Sequence, residues 1–382
     1  MARFQKASFG LVKLLPSPPL AALGCYFALS DMGFSQTFVL ITLAILTAVL
    51  FANLALRLSW GRFALSLSPL FFATLFLLVA IQSPRASVAY FLVVLLGTAL
   101  VASIALPPVR SALARFVPID PTHPLHTAAL ALAVALILNH FGFYLAQQSA
   151  APSASSAVLW QDQLTNFALM VGLALLGVGA LTRRSWRTIW PRLGLKRPNR
   201  FQIFFAIGLG SAFQLVALLS YAASHLLTPA LAQKVDQNSN ALLDPILSTF
   251  FFFIPVGIIF LAASAALGEE LLFRGALQPR LGLLLAALLF TAFHDQYGFS
   301  FDLLSIFLLA LALGWLRSSM NLWACIAAHF WYDFSTSFGL DVRLVLLLGA
   351  SGLALCLLLL HSNSAKLFMH DDADGAIRWH QV

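Results

Sequence analysis

Long apolar runs make up most of the chain, and short polar connections separate them. Eleven runs approach the ~20 residues that a helix needs to cross the hydrocarbon core of a bilayer. They are 36–56, 64–82, 86–106, 125–147, 163–181, 201–224, 249–277, 280–297, 301–317, 321–338 and 343–361. A shorter run near 17–31 is a twelfth candidate, either a span or a re-entrant piece. The apolar residues do not alternate with polar ones, so the pattern predicts helices and excludes a β-barrel.

The composition agrees with this pattern, since 60% of the 382 residues are hydrophobic and only 9% are charged. A soluble domain carries roughly 25% charged residues, which cover its surface. Soluble and disordered proteins are therefore excluded, and lipid must be the solvent for most of the chain. The fold class that follows is all-α, a polytopic transmembrane helical bundle with about 11–12 membrane helices.

The net charge is +8, which in a soluble protein could indicate nucleic-acid binding. Here the basic residues lie mostly in short connections between the apolar runs. The connection 182–200 holds seven Arg and Lys residues and no acid, which is typical of a cytoplasmic loop. Alternation from there puts the loop 225–248 outside and the C-terminal tail in the cytoplasm. We expect contacts with membrane lipids and no nucleic-acid partner.

Three regions follow from the distribution of ionisable residues. The helices of 1–182 hold almost none at mid-span and have no predicted role. Residues 183–361 carry acids and histidines inside apolar runs, and 362–382 form a polar tail.

Basic residues before the first apolar stretch weakly resemble a signal peptide, but a retained first helix is favoured. The three cysteines, Cys25, Cys325 and Cys356, indicate neither a disulfide framework nor a cysteine metal site.

The only two glutamates of the chain are adjacent, Glu269 and Glu270, and they lie within an apolar stretch. A carboxylate inside a membrane costs at least ~2.5 kcal/mol on insertion scales, which favours a functional role over a helix cap at the headgroups. Arg274 follows Glu270 at i+4 on the same helical face and can form an ion pair with it. Glu269 points about 100° away, is left without an intrahelical partner, and is suited to take a proton from water.

Two further i, i+4 pairs follow, Phe290 with His294 and His329 with Asp333. A turn predicted at Gln278–Pro279 would place Glu269 ~14 Å and His294 ~21 Å from that turn, which leaves an offset of ~7 Å. Helix tilt and side-chain length can close such an offset. We therefore expect the carboxylate and both imidazoles to converge inside the bilayer. The earlier histidine, His140, is interpreted as a packing residue.

These three pairs, in this order, resemble the signature motifs of the CPBP family of membrane proteins, which includes type II CAAX prenyl endopeptidases and bacteriocin-processing or immunity proteins. The resemblance covers about 183–361 and implies a glutamate intramembrane peptidase, here expected in a bacterial inner membrane. It implies that Glu269 activates water with His294, and that Glu270 and Arg274 support it. It further implies that His329 and Asp333 stabilise an oxyanion. Phe290 is expected to contact the substrate, a peptide or protein in or at the membrane.

Asp333 departs from the asparagine that many relatives carry. An ionised carboxylate cannot donate a hydrogen bond and would repel an oxyanion, so Asp333 either orients His329 or stays protonated.

Three alternatives remain open at this point. The same glutamate and histidines could hold zinc, although the divergence of the two glutamates favours metal-free water activation without a cofactor. A binding or immunity protein could retain the fold without proteolysis. A proton-coupled transporter would use similar residues, but here they all lie in the last third of the chain. Whether the substrate is prenylated is left open.

Overall fold

The computed structural model describes residues 36–56, 62–80, 88–149, 160–249, 254–339 and 341–368. Within these residues the chain is built of helices. They are α1 (Gln36–Ala55), α2 (Arg62–Ala80), α3 (Val88–Ser103), α4 (Pro107–Leu113), α5 (Pro124–Ser149), α6 (Trp160–Gly177), α7 (Trp186–Leu193), α8 (Arg200–Leu227), α9 (Pro229–Thr249), α10 (Ile254–Glu270), α11 (Gln278–Ala292), α12 (Phe301–Ser319), α13 (Leu322–Thr336) and α14 (Val342–Phe368). A π-helical segment, Leu271–Leu277, joins α10 to α11, and a 3₁₀ turn, Asp295–Tyr297, follows α11.

Each of the eleven predicted apolar runs coincides with a helix, which confirms the all-α class. The candidate near 17–31 lies outside the described residues. Three helices were not predicted, namely α4, α7 and α9. The last of these occupies the expected outer loop 225–248, because Pro229 begins a helix that continues to Thr249.

Four stretches in the described part of the chain are long and apolar enough to cross a membrane: Arg200–Leu227, Ile254–Ala292, Phe301–Ser319 and Val342–Ser362. A fifth candidate is a broken pair, Tyr90–Ser103 with Pro107–Leu113, bent by 95°. The stretch Ile254–Ala292 contains two of the predicted spans, and several helices of the first half are shorter than a full span. The chain is an integral membrane protein, with fewer full-length spans in the described residues than the eleven or twelve predicted.

Two hydrophobic cores organise the bundle. The first is formed by α1–α3 and α5, and the second by α7, α8, the π segment and α10–α14. Helix α6 contributes to both cores, with Leu169 buried in the first and Met170 in the second. It also contacts α10 directly, since the side-chain amide of Gln163 donates to the Ser264 hydroxyl at 3.1 Å. The two halves are therefore joined through α6.

The reversal between α10 and α11 lies at Gly282 and not at the predicted Gln278–Pro279. Gln278 and Pro279 are helical, whereas Gly282 has φ 79° and ψ 170°. A positive φ is sterically easy only for glycine, so the chain turns where glycine permits it. Glu269 is then thirteen residues before the turn and His294 twelve after it. At ~1.5 Å per residue the two lie ~20 Å and ~18 Å from the turn, and the offset expected from the sequence nearly vanishes.

Helix α13 is held against α8 by a close backbone approach. A Cβ atom on Gly210 would lie 2.5 Å from the carbonyl oxygen of Ala328, so only glycine fits there. Trp331 also donates its indole N–H to the Ser211 hydroxyl at 2.7 Å. This crossing fixes the helix turn that carries His329.

Candidate active site

The glutamate pair lies at the last turn of α10, where the helix changes into the π segment. Gly268 lets this turn approach α6, because a Cβ there would lie 3.2 Å from the Phe167 ring. Both glutamates are buried, at 9% exposure for Glu269 and 0% for Glu270. Segments with i→i+5 hydrogen bonds are uncommon and occur often at functional sites.

Glu270 is the centre of a buried charge network. Its Oε1 forms an ion pair with Arg274 Nη1 at 3.0 Å and lies 2.8 Å from Nδ1 of His329. Since a carboxylate can only accept, Nδ1 of His329 is the donor in that contact. The i, i+4 pair with Arg274 predicted from the sequence is present. The contact between Glu270 and His329 joins α10 to α13 and was not predicted.

Arg274 is held on three sides although it lies deep in the bundle. Its Nη2 donates to the carbonyl oxygen of Ala310 on α12 at 3.3 Å. Its guanidinium lies over the Phe290 ring, 4.1 Å from the ring centroid. A cation above an aromatic face is stabilised by the ring quadrupole, and more strongly where water is excluded. Arg274 thereby connects the π segment, α11 and α12 around Glu270.

Glu269 faces both histidines and is not hydrogen-bonded to either. Its Oε2 lies 3.9 Å from Nε2 of His294 and 4.0 Å from Nε2 of His329. That oxygen is buried and has no hydrogen-bond partner among the described residues. The structure thus brings together the free carboxylate and the two imidazoles, from three separate helical stretches.

The orientation of His294 follows from its backbone contact. Nδ1 lies 2.8 Å from the carbonyl oxygen of Phe290, one turn earlier. A carbonyl oxygen accepts, so Nδ1 carries the hydrogen, and Nε2 presents its lone pair toward Glu269. His294 lies just beyond the end of α11, and its ring shares the Phe290 carbonyl oxygen with the backbone N–H of Phe293.

Asp333 lies on the more open side of the site, with 27% of its side chain exposed. Its Oδ2 is 3.3 Å from Nε2 of His329. Each ring nitrogen of His329 therefore faces a carboxylate oxygen, from Glu270 on one side and Asp333 on the other. This geometry fits the orienting role for Asp333, one of the two roles that the sequence left open.

Phe290 is placed differently from the sequence expectation. Its side chain is completely buried, with Arg274 over its face and the His329 ring at 5.8 Å in an edge contact. Such burial favours a role in positioning these two groups over the expected contact with a substrate. Sequence reasoning also missed Tyr297, whose ring stacks with that of His294 at 6.2 Å. Its position three residues after His294 was the available signal.

The residues present do not match the spacing of a metal site. Zinc ligands lie ~2.0–2.2 Å from the ion, which puts neighbouring ligand atoms of a tetrahedral site ~3.3–3.6 Å apart. The separations of 3.9 and 4.0 Å around Glu269 are longer. In the described part of the chain, no group of three or more His, Cys, Asp or Glu side chains is arranged to hold an ion.

Comparison with known proteins shows a similarity that covers these residues. Residues 246–335 match the sequence model described as type II CAAX prenyl endopeptidase Rce1-like. The chain is 38% identical over 81 residues to the uncharacterized protein YpbD of Bacillus subtilis (strain 168). That alignment covers 20% of this chain and 41% of YpbD, so the chain spans less than half the length of this relative. No solved structure matches the chain significantly. The segment 246–335, called the Rce1-like domain below after the model that it matches, carries the glutamate pair and both histidines.

Proposed function

We propose that the protein is an intramembrane endopeptidase in which Glu269 and His294 activate a water molecule for attack on a peptide bond. The observation that carries the proposal concerns Oε2 of Glu269, which has no hydrogen-bond partner among the described residues. This oxygen is close enough to Nε2 of both histidines for a single water molecule to bridge them. Two hydrogen bonds of ~2.8 Å that meet at one oxygen at 90–110° span ~4.0–4.6 Å. The separations of 4.0 Å to His329 and 3.9 Å to His294 lie at, and just below, the short end of this span.

The protonation pattern orients such a water. Glu269 Oε2 and the lone pair of His294 Nε2 are both acceptors, so they take the two hydrogens of the water. One lone pair of the water oxygen is then left to point at the substrate carbonyl. As the oxygen attacks the carbonyl carbon, Glu269 takes the proton, which is general-base catalysis.

His329 and Asp333 lie on the side where negative charge would develop. The N–H at Nε2 of His329, which lies 3.3 Å from Oδ2 of Asp333 in the free site, can donate instead to the carbonyl oxygen as it becomes an oxyanion, while Nδ1 stays fixed on Glu270. Collapse of the tetrahedral intermediate breaks the C–N bond. The proton held by Glu269 passes to the leaving amine nitrogen, so the carboxylate is regenerated.

The surroundings suit a substrate with an apolar segment. A cavity of about 240 Å³ lies between the start of α8, α10 and α13, and its walls are entirely apolar. Ala266 and Leu267 on α10, and Phe330 on α13, place this cavity beside the charged site. The substrate class that we propose is a peptide in or at the membrane, in the bacterial inner membrane, with 182–200 and the C-terminus in the cytoplasm.

The test compares the membrane proteomes of cells that carry wild type, Glu269→Gln or Asp244→Asn. Asp244 is an exposed acid on α9 and controls for the loss of a carboxylate as such. We expect at least one peptide to be cleaved in wild type and Asp244→Asn cells and to stay intact with Glu269→Gln. Identical peptide patterns in all three would contradict the proposal.

A second measurement addresses the cofactor. We propose that catalysis needs no metal, so cleavage should continue after dialysis against a chelator, and purified protein should contain much less than one zinc per chain. Stoichiometric zinc that is lost in His294→Ala would instead establish the zinc-dependent mechanism.

A further inference from the structure

A cluster of arginines lies at the opposite end of α11 from the active site, where the two halves of the molecule meet. Arg280 is in the first turn of α11, Arg192 is in α7, and Arg183 and Arg184 follow α6. Arg192, Arg183 and Arg184 are all close enough to Arg280 for their charges to repel it. We name these four residues the arginine cluster.

Arg280 lacks an acceptor in spite of its partial burial. Its only polar contact in the described residues is the Nε2 atom of His126 on α5. The backbone N–H of Asp120 donates to the other ring nitrogen of His126, Nδ1, at 3.0 Å. A neutral imidazole has one acceptor nitrogen, so Nε2 carries the hydrogen and offers Arg280 nothing to bind. Two donors face each other in that contact.

Arg192 is in the same situation. It is half-buried, and among the described residues it has neither a hydrogen bond nor a carboxylate within ion-pair distance. Burial, followed by the charges of Arg184 and Arg317, lowers the pKa of Arg192 below its ordinary value. Half-buried cations without counterions are unfavourable, because desolvation and mutual repulsion add together.

Residues from the first half complete the cluster. Arg183 donates from Nη2 to Oδ1 of Asn53 on α1 at 3.3 Å. His123 and His126 stack with their centroids 4.3 Å apart, and both lie within range of the charges of Arg183 and Arg280. Asp120, whose charge acts on His123 and His126, accepts through Oδ1 from the backbone N–H and the hydroxyl of Thr122. Among the described residues, no carboxylate lies within ion-pair distance of Arg280 or Arg192.

We propose that the arginine cluster is a binding site for a phosphate group, with the headgroup of an anionic phospholipid as its occupant. A phosphate offers several acceptor oxygens and a negative charge, and guanidinium groups bind it through paired hydrogen bonds. Basic pockets between membrane helices bind phospholipid headgroups by this chemistry. The lipid would bridge α5, α7 and α11, and so fasten the first half of the chain to the Rce1-like domain. This site is independent of the proposed peptidase chemistry.

The experiment uses the full-length protein in a neutral detergent. Native mass spectrometry measures the dissociation constants of short-chain phosphatidylglycerol and phosphatidylcholine for wild type, for Arg192→Gln/Arg280→Gln and for Arg343→Gln. Arg343 is an exposed arginine at the start of α14 and serves as the matched control. We expect phosphatidylglycerol to bind wild type and Arg343→Gln more tightly than phosphatidylcholine does. The double variant should bind phosphatidylglycerol about tenfold more weakly for each charged contact removed.

Competition with inorganic phosphate distinguishes binding of the phosphate group alone from binding that also requires the acyl chains. Competition by phosphate at millimolar concentration supports the shared phosphate chemistry, and a lack of competition at that concentration supports a site that also requires the acyl chains. Equal affinity for the two lipids, or an unchanged affinity in the double variant, would overturn the proposal. If the double variant does not fold, Arg192→Lys/Arg280→Lys keeps the charge, removes the paired geometry and should still weaken binding. An unchanged affinity in that variant would equally overturn it.

Discussion

The two halves of the molecule are similar in hydrophobicity but differ in what their buried polar groups contact. In the first half, two of the buried polar side chains bind backbone carbonyls: Asn53 donates to Leu176 at 2.8 Å, and Arg110 donates to Ala105 at 2.6 Å and to Pro121 at 2.9 Å. In the Rce1-like domain, ionisable side chains contact one another, and Glu269 Oε2 remains without a hydrogen bond among the described residues.

This difference separates structural from reactive polar groups. A polar side chain bound to a helix-end carbonyl satisfies that carbonyl and is itself satisfied, so it has no capacity left for chemistry. A buried carboxylate that is held near two imidazoles but not bonded to them keeps its acceptor oxygen available. The predictions below test whether the halves differ in this way.

The largest effect is expected from removal of the cation in the buried network. Arg274→Met leaves Glu270 charged and without its arginine, and loss of one partner of a buried pair costs ~3–5 kcal/mol. The midpoint of thermal unfolding in detergent should fall strongly. In the control, Arg343→Met, an exposed arginine is lost, and the midpoint should change little. Equal midpoints for the two variants would contradict a network in which Arg274 neutralises Glu270.

A large effect on catalysis is expected at His294. His294→Ala removes an acceptor for the attacking water, and general acid–base groups contribute ~10²–10⁴-fold to a rate. The cleavage rate of a peptide found in the proteome comparison should fall at least ~10²-fold. The paired variant in the first half is His140→Phe, because His140 packs edge-on against Phe299 at 5.4 Å. A similar fall in His140→Phe would erase the contrast between the halves.

A smaller effect is expected from the turn that sets the depth of the site. Gly282→Ala places a side chain at φ 79° and ψ 170°, a region that is almost confined to glycine, which costs ~1–3 kcal/mol, although the added Cβ would touch nothing within 4 Å. The matched change is Gly177→Ala at the end of α6, where the new Cβ would meet Ala276 at an ordinary 3.8 Å. Thermal unfolding should show destabilisation for the first variant and no loss for the second. Equal midpoints would argue against a strained turn at Gly282.

The smallest effect is expected from Asp333→Asn. The amide oxygen still accepts from His329, and the charge beside a developing oxyanion is removed, so the rate should change by less than about tenfold. Asp333→Leu removes the acceptor altogether and should slow cleavage more than Asp333→Asn does. A comparable loss in both variants would show that the carboxylate charge itself is needed.

The sequence was sufficient for the helices and for the choice of most site residues. In a continuous apolar run of spanning length, a helix makes all backbone hydrogen bonds internally and needs no water for them. The helices α1–α3, α5–α6 and the later apolar helices were therefore predictable. The rarity of glutamate in an apolar chain identified Glu269 and Glu270. The i, i+4 spacing gave the pair with Arg274, because that contact lies within one helix. Helix α9 was missed because its mixed polarity was interpreted as a loop.

Beyond the expected approach of Glu269 to the two histidines, tertiary structure decided the contacts between helices. The link from Glu270 to His329, the burial of Phe290 under Arg274 and the turn at Gly282 all depend on how α10, α11 and α13 pack. Sequence spacing gives the neighbours within a helix, whereas the relative depth and rotation of separate helices follow from packing that no local pattern encodes. The chain composition thus determined where the chemistry lies, and the packed bundle determined which oxygen remains free to perform it.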